Sequence, residues 1–66
     1  MTETGEIVER LEAIAEHLAE LALEELRQVA DRLEPGEKPD LAEERRLTRA
    51  RRAVDKAASV LRSTAL

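Results

Sequence analysis

Cysteine and aromatic residues are absent from this 66-residue chain, and no long apolar run occurs in it. Without cysteine the chain can form no disulfide, which is a common way to stabilise a domain this small. Without Phe, Tyr or Trp, a core must consist of Leu, Ile, Val and Ala, which suits close packing between helices. The lack of a long apolar run argues against a signal peptide or a membrane span, so we expect a cytoplasmic protein without a membrane partner.

Glu, Ala, Arg and Leu dominate the composition and favour helix over sheet. The net charge of −4 is unevenly distributed, because residues 1–34 carry −7 and residues 35–66 carry +3. An acidic half joined to a basic half indicates that the two halves pair, either within one chain or between copies. Nine Arg against two Lys is compatible with a GC-rich bacterial genome.

The first half has an apolar stripe that recurs at steps of three or four residues and predicts one long amphipathic helix over about residues 5–34. Thr4 is the predicted N-cap. The stripe averages about 3.7 residues per turn, so we expect it to drift around the helix and the helices to pack nearly straight. Its members are Ile7, Leu11, Ile14, Leu18, Ala22, Leu26, Val29 and Leu33.

Pro35, Gly36 and Pro39 interrupt the helical pattern and predict a loop over residues 35–39. Asp40 is the predicted cap of a second helix over about residues 40–63, with Glu43 completing a capping box. A short loop makes the two helices antiparallel neighbours. The fold class is therefore all-α: one domain, residues 1–66, forming an antiparallel two-helix hairpin. The second apolar stripe comprises Leu47, Ala50, Val54, Ala57 and Leu61.

The unequal helix lengths predict that the hairpin alone is incomplete. With Leu33 opposite Leu41, the numbers of opposed residues sum to about 74, so the turn carrying Ile7, Val8 and Leu11 overhangs the second helix and buries little. A wide apolar stripe also requires two neighbouring helices. We therefore expect a homodimer that forms a four-helix bundle. Its expected self-association residues are Ile7, Val8, Leu11, Ile14, Leu18, Leu21, Leu26, Leu47, Val54 and Leu61.

Two charged ridges accompany the stripes, and we expect both on the outer side of the hairpin. The acidic ridge is Glu12, Glu16, Glu20 and Glu24, and the basic ridge is Arg45, Arg49, Arg52 and Lys56. The ordinary interpretation is two solvated faces. A second is that the basic ridge binds the phosphate backbone of a nucleic acid, although the acidic ridge and the absence of aromatic residues oppose this. A third is that the acidic ridge docks on the basic ridge of another copy or of a different protein.

No motif for catalysis or for binding a metal or cofactor is present. His17 precedes Glu20 in His-x-x-Glu order, the reverse of the Glu-x-x-His pattern of carboxylate bundles, and it is predicted at a helix edge. No serine or threonine has a neighbouring base or a Gly-rich turn that would present it as a nucleophile. We therefore expect no enzymatic activity, metal or cofactor. The sequence favours a self-associating helical module that serves as an adaptor, small subunit or regulator, the alternative being a small nucleic-acid-binding regulator.

Overall fold

The computed structural model describes residues 2–63, and all their regular structure is helical. Helix α1 spans Glu3–Arg32 and helix α2 spans Ala42–Arg62, 30 and 21 residues long. The two helices pack against each other as a single layer with overall extents of 54 × 20 × 10 Å. The predicted all-α two-helix hairpin is confirmed. Each helix has one neighbour, and both broad sides of the layer face solvent.

Helix α1 begins two residues earlier than predicted. The N-cap is Thr2, whose Oγ1 accepts a hydrogen bond from the Gly5 backbone N–H at 2.9 Å. The prediction of Thr4 as the cap is wrong, since Thr4 lies inside the first turn. Both residues have the hydroxyl that a cap requires, but the earlier start also places Glu3 in the first turn, where a negative charge favours the positive end of the helix dipole.

The loop between the helices contains a type II β-turn formed by residues 34–37. The Glu37 N–H donates to the Glu34 carbonyl at 3.0 Å, Pro35 occupies the second position, and Gly36 the third with φ of 86°. The Glu37 carboxylate in return accepts the Glu34 N–H at 2.7 Å. The connection between the helices spans residues 33–41 and is longer than the predicted 35–39.

Gly36 is the residue of this turn that tolerates substitution least. An added Cβ would meet nothing within 4 Å, so the cost of Gly36→Ala is conformational and amounts to roughly 1–2 kcal/mol. We expect Gly36→Ala to lower the free energy of unfolding by that amount in urea titrations followed by circular dichroism. The Gly36→Asn variant is the control, since asparagine adopts positive φ more readily and loses less stability. Equal stability of Gly36→Ala and the parent chain would contradict the turn assignment.

Helix α2 begins without the predicted capping box. The N-cap position is occupied by Leu41, whose side chain forms no capping bond, and the Asp40 carboxylate accepts from the Ala42 N–H at 3.0 Å instead. Leu41 lies between Asp40 and Ala42, the first helical residue. The Asp40 carboxylate therefore binds the N–H two residues ahead, whereas a capping box requires the N–H three residues ahead. Glu44, in the first turn, accepts a hydrogen bond from the Thr48 hydroxyl at 2.8 Å.

One ion pair joins the first third of α1 to the end of α2 and shows the register of the two helices. Arg62 near the end of α2 donates to the Glu12 carboxylate of α1. Their residue numbers sum to 74, the value expected from the loop length. Ala15 and Ala58, whose numbers sum to 73, lie at nearly the same level, and these are the two most buried residues of the core, 4% and 2% exposed.

The buried stripe of α1 follows a heptad, so the prediction of a drifting stripe is wrong. Small side chains explain the difference, because alanines in the stripe let the backbone of α2 come close, whereas the bulkier isoleucines are displaced to the flank. Val8, Ala15 and Ala22 are buried and recur every seven residues, and half-buried residues lie between them. Along the whole stripe, successive members are therefore three and four residues apart in alternation. The stripe comprises Val8, Leu11, Ala15, Leu18, Ala22, Glu25 and Val29.

The expectation that the first turns of α1 bury little is wrong for Val8 and Leu11. Val8 is only 7% exposed and Leu11 is half-buried, while Ile7 remains 43% exposed. Val8 lies seven residues before Ala15 and continues its line on the buried side of α1. Ile7 lies one residue before Val8, about 100° around the helix, so its side chain lies at the flank of the buried stripe.

Candidate interaction surface

The two broad sides of the hairpin differ in chemistry. The Glu12–Arg62 ion pair lies along one side of the contact between the helices. Ile14 lies two residues from Glu12, about 200° around α1, and Leu61 lies about 100° from Arg62 on α2. In an antiparallel pair these rotations bring Ile14 and Leu61 to the same broad side, opposite the ion pair.

That second side is apolar over residues 7–21 of α1 and 47–61 of α2, and we call this part the apolar face. Its α1 edge repeats at steps of seven, with Ile7, Ile14 and Leu21 exposed by 43–49%. Half-buried leucines and valine line its centre, and alanines lie along its α2 edge. The members of the apolar face are Ile7, Leu11, Ile14, Leu18, Leu21, Leu47, Ala50, Val54, Ala57 and Leu61.

The chain exposes more surface than a compact protein of its size. Its accessible surface is 5548 Å², whereas a compact monomer of 7.4 kDa exposes about 4,200 Å². Within residues 2–63 the buried apolar residues are Val8, Ala15, Ala22 and Ala58, of which three are alanines. A core of this kind buries little apolar area, so the apolar face is the main surface left to stabilise the fold.

Two expected self-association residues lie elsewhere. Val8 is only 7% exposed and has almost no surface left for a partner. Leu26 is 38% exposed and lies with Leu33 on the same broad side as the ion pair. Both residues follow Glu12 at multiples of seven residues, so they share its side of the heptad stripe. The sequence interpretation did not name Ala58 as a core residue. The only sequence signal for Ala58 is its step of four from Val54.

The basic ridge lies where the sequence predicts, on the outer side of α2. Arg45, Arg49, Arg52 and Lys56 are exposed, and none of them forms an ion pair with another residue of 2–63. The neighbouring arginines behave differently. Arg46 pairs with Glu43 at 3.5 Å and Arg51 with Asp55 at 3.6 Å, each within α2.

The acidic ridge is not a single outer face. Steps of four residues rotate by about 40°, so the four glutamates wind around α1 and Glu12 reaches the groove between the helices. The expectation that all four point outward is therefore wrong for Glu12, which binds Arg62. Glu24 pairs with Arg27 at 3.5 Å within α1, while Glu16 and Glu20 are exposed.

His17 is an exposed residue of α1. Among the residues that the structure describes, no three of His, Cys, Asp or Glu lie close enough together to hold a metal ion. No helix within residues 2–63 is both long and apolar enough to cross a membrane. Comparison with protein-family models, curated proteins and solved structures finds no match for this chain.

Proposed function

We propose that this chain is a non-enzymatic, self-associating interaction module in which a second copy covers the apolar face to form a four-helix bundle. The observation that carries the proposal is the apolar face, which covers residues 7–21 of α1 and 47–61 of α2 in a hairpin that is only one layer thick. Through the outer helix faces of this assembly the module serves as an adaptor, small subunit or regulator.

The size of the broad side that carries the apolar face supports this assembly. A standard interface takes about 800 Å² from each partner, and the broad side of the hairpin, 54 by 20 Å, is large enough to supply that area. Covering Ile14, Leu21 and Leu61 contributes on the order of 1 kcal/mol for each side chain, since all are more than 40% exposed in the hairpin. The second copy also supplies the second neighbour that a wide apolar stripe requires.

Size-exclusion chromatography with light scattering tests the proposal directly. We expect a particle of twice the 7.4 kDa chain mass at micromolar concentration, and a thermal unfolding midpoint that rises with protein concentration. A folded monomer at micromolar concentration, with a midpoint independent of concentration, would refute the proposal.

A second candidate function, nucleic-acid binding, is favoured by the four unpaired cations of the basic ridge. Lys and Arg side chains that are free of local carboxylates are the ones that bind phosphates. Polarisation titrations with mixed RNA and DNA at low salt test this candidate. Binding that weakens with added salt and with Arg49→Glu would support it, and no binding at tens of micromolar protein would exclude it. Arg46→Glu is the control, since Arg46 is already paired with Glu43.

A further inference from the structure

We infer that the second copy docks with its α2 against the first copy's α1, so that the two loops lie at the same end of the bundle. This inference rests on the proposed function, since it specifies how the two apolar faces meet. Two hairpins stacked face to face with twofold symmetry have two arrangements. With the axis along the helices, each α1 borders the α2 of the other copy; with the axis across them, α1 borders α1 and the loops lie at opposite ends.

Charge favours the arrangement with the axis along the helices. Helix α1 carries nine acidic and three basic residues, while α2 carries three acidic and seven basic residues. With the axis along the helices, each acidic α1 has basic α2 helices on both sides and the two α1 helices are diagonal. With the axis across the helices, two α1 helices of net charge −6 lie in contact and repel each other.

Side-chain size favours the same arrangement. The α1 edge of the apolar face is lined by Ile7, Ile14 and Leu21, while the α2 edge has Ala50 and Ala57, with Ala53 just outside it. A groove along this edge of α2 has Leu47, Ala50 and Ala53 at its apolar side and is also lined by Glu43, Arg46 and Arg49. With the axis along the helices the large Leu21 meets the small residues at the α2 groove, whereas α1 against α1 would put large residues against large ones and leave that groove open.

The symmetry also predicts which residues meet. A twofold axis parallel to the helices leaves the position of each residue along the bundle unchanged. Residues of α1 and α2 whose numbers sum to 74 are therefore level with each other between copies as well as within one hairpin. Leu21 then lies beside Ala53 of the second copy, at the groove of α2. Glu24 lies within one residue of the level of Arg49, since their numbers sum to 73, so the acidic edge of one copy attracts the basic edge of the other.

Energy transfer between fluorophores on single cysteines distinguishes the two arrangements. Lys38→Cys places a label in the loop, and mixed donor-labelled and acceptor-labelled Lys38→Cys chains should show high transfer, because same-end loops lie roughly 10–20 Å apart. Thr4→Cys, at the opposite end of α1, is the matched partner position. Donor at Lys38→Cys with acceptor at Thr4→Cys should show low transfer, since the helix separates the two positions by about 40 Å.

The two possible failures are distinguishable. A dimeric mass with low Lys38–Lys38 transfer and high Lys38–Thr4 transfer would overturn this arrangement and leave the proposed dimer standing. A folded monomer in light scattering would overturn the proposed function, and the arrangement with it. Mixed Gln28→Cys and Arg46→Cys chains provide an independent check of register, because their numbers sum to 74 and they should form a disulfide between copies.

Discussion

Replacing Leu18 by Asp is expected to abolish the folded bundle. Leu18 is half-buried in the heptad stripe between the helices, and its remaining surface opens onto the apolar face. The substitution removes buried apolar area and introduces a carboxylate into an apolar contact, at a combined cost of roughly 3–5 kcal/mol. A 66-residue domain has a total stability of only about 3–10 kcal/mol. Far-UV circular dichroism and light scattering should therefore show loss of most helix together with loss of the dimer.

Leu23→Asp is the matched control for this prediction. Leu23 lies on the same helix, receives the same substitution and is 49% exposed on the side of α1 away from α2. A surface substitution of this kind changes stability by about 0.5 kcal/mol or less. If Leu18→Asp kept the helicity and mass of Leu23→Asp, the assignment of the stripe that faces α2 would be wrong.

Replacing Ile14 by Glu is expected to weaken association by 100-fold or more, corresponding to about 3 kcal/mol. Ile14 is 49% exposed in the hairpin and lies on the apolar face outside the heptad stripe. Within one hairpin the new glutamate stays in solvent, so its cost arises only when a second copy covers it. Sedimentation equilibrium of the variant over a range of concentrations measures this change in the dissociation constant.

Leu23→Glu is the control for the Ile14 substitution, because Leu23 and Ile14 are exposed to the same extent, 49%, on different sides of α1. The two variants add the same charge to the same helix, so a general electrostatic effect would change both equally. We expect only Ile14→Glu to dissociate the dimer. Equal association of the two variants would show that the apolar face is not the surface that self-associates.

Several features of the hairpin were predictable from local chemistry. Pro35 and Gly36 end the first helical pattern because one lacks an N–H and the other accepts positive φ, and the observed turn uses both properties. Loop length alone predicted that the numbers of opposed residues sum to 74. The Glu12–Arg62 pair has that sum. The position of the basic ridge also followed from helical periodicity, because no other element covers the outer side of α2.

The helix starts were less predictable, because each depends on a choice between chemically similar caps. Thr2 and Thr4 both have the required hydroxyl, and Asp40 serves α2 from one residue farther away than a capping box allows. The outward placement expected for Glu12 failed, because a rotation of about 40° per four residues brings Glu12 into the groove between the helices.

The sequence by itself determined that this protein forms two amphipathic antiparallel helices joined by a Pro-Gly turn, because periodicity and turn chemistry are local properties. Only the tertiary structure decided which part of each wide apolar stripe is buried. Both Ile14 and Ala15 lie within the stripe of α1, but Ala15 lets the backbone of α2 approach and is 4% exposed, whereas Ile14 is left 49% exposed. That choice depends on how closely two backbones pack, which sequence spacing does not encode.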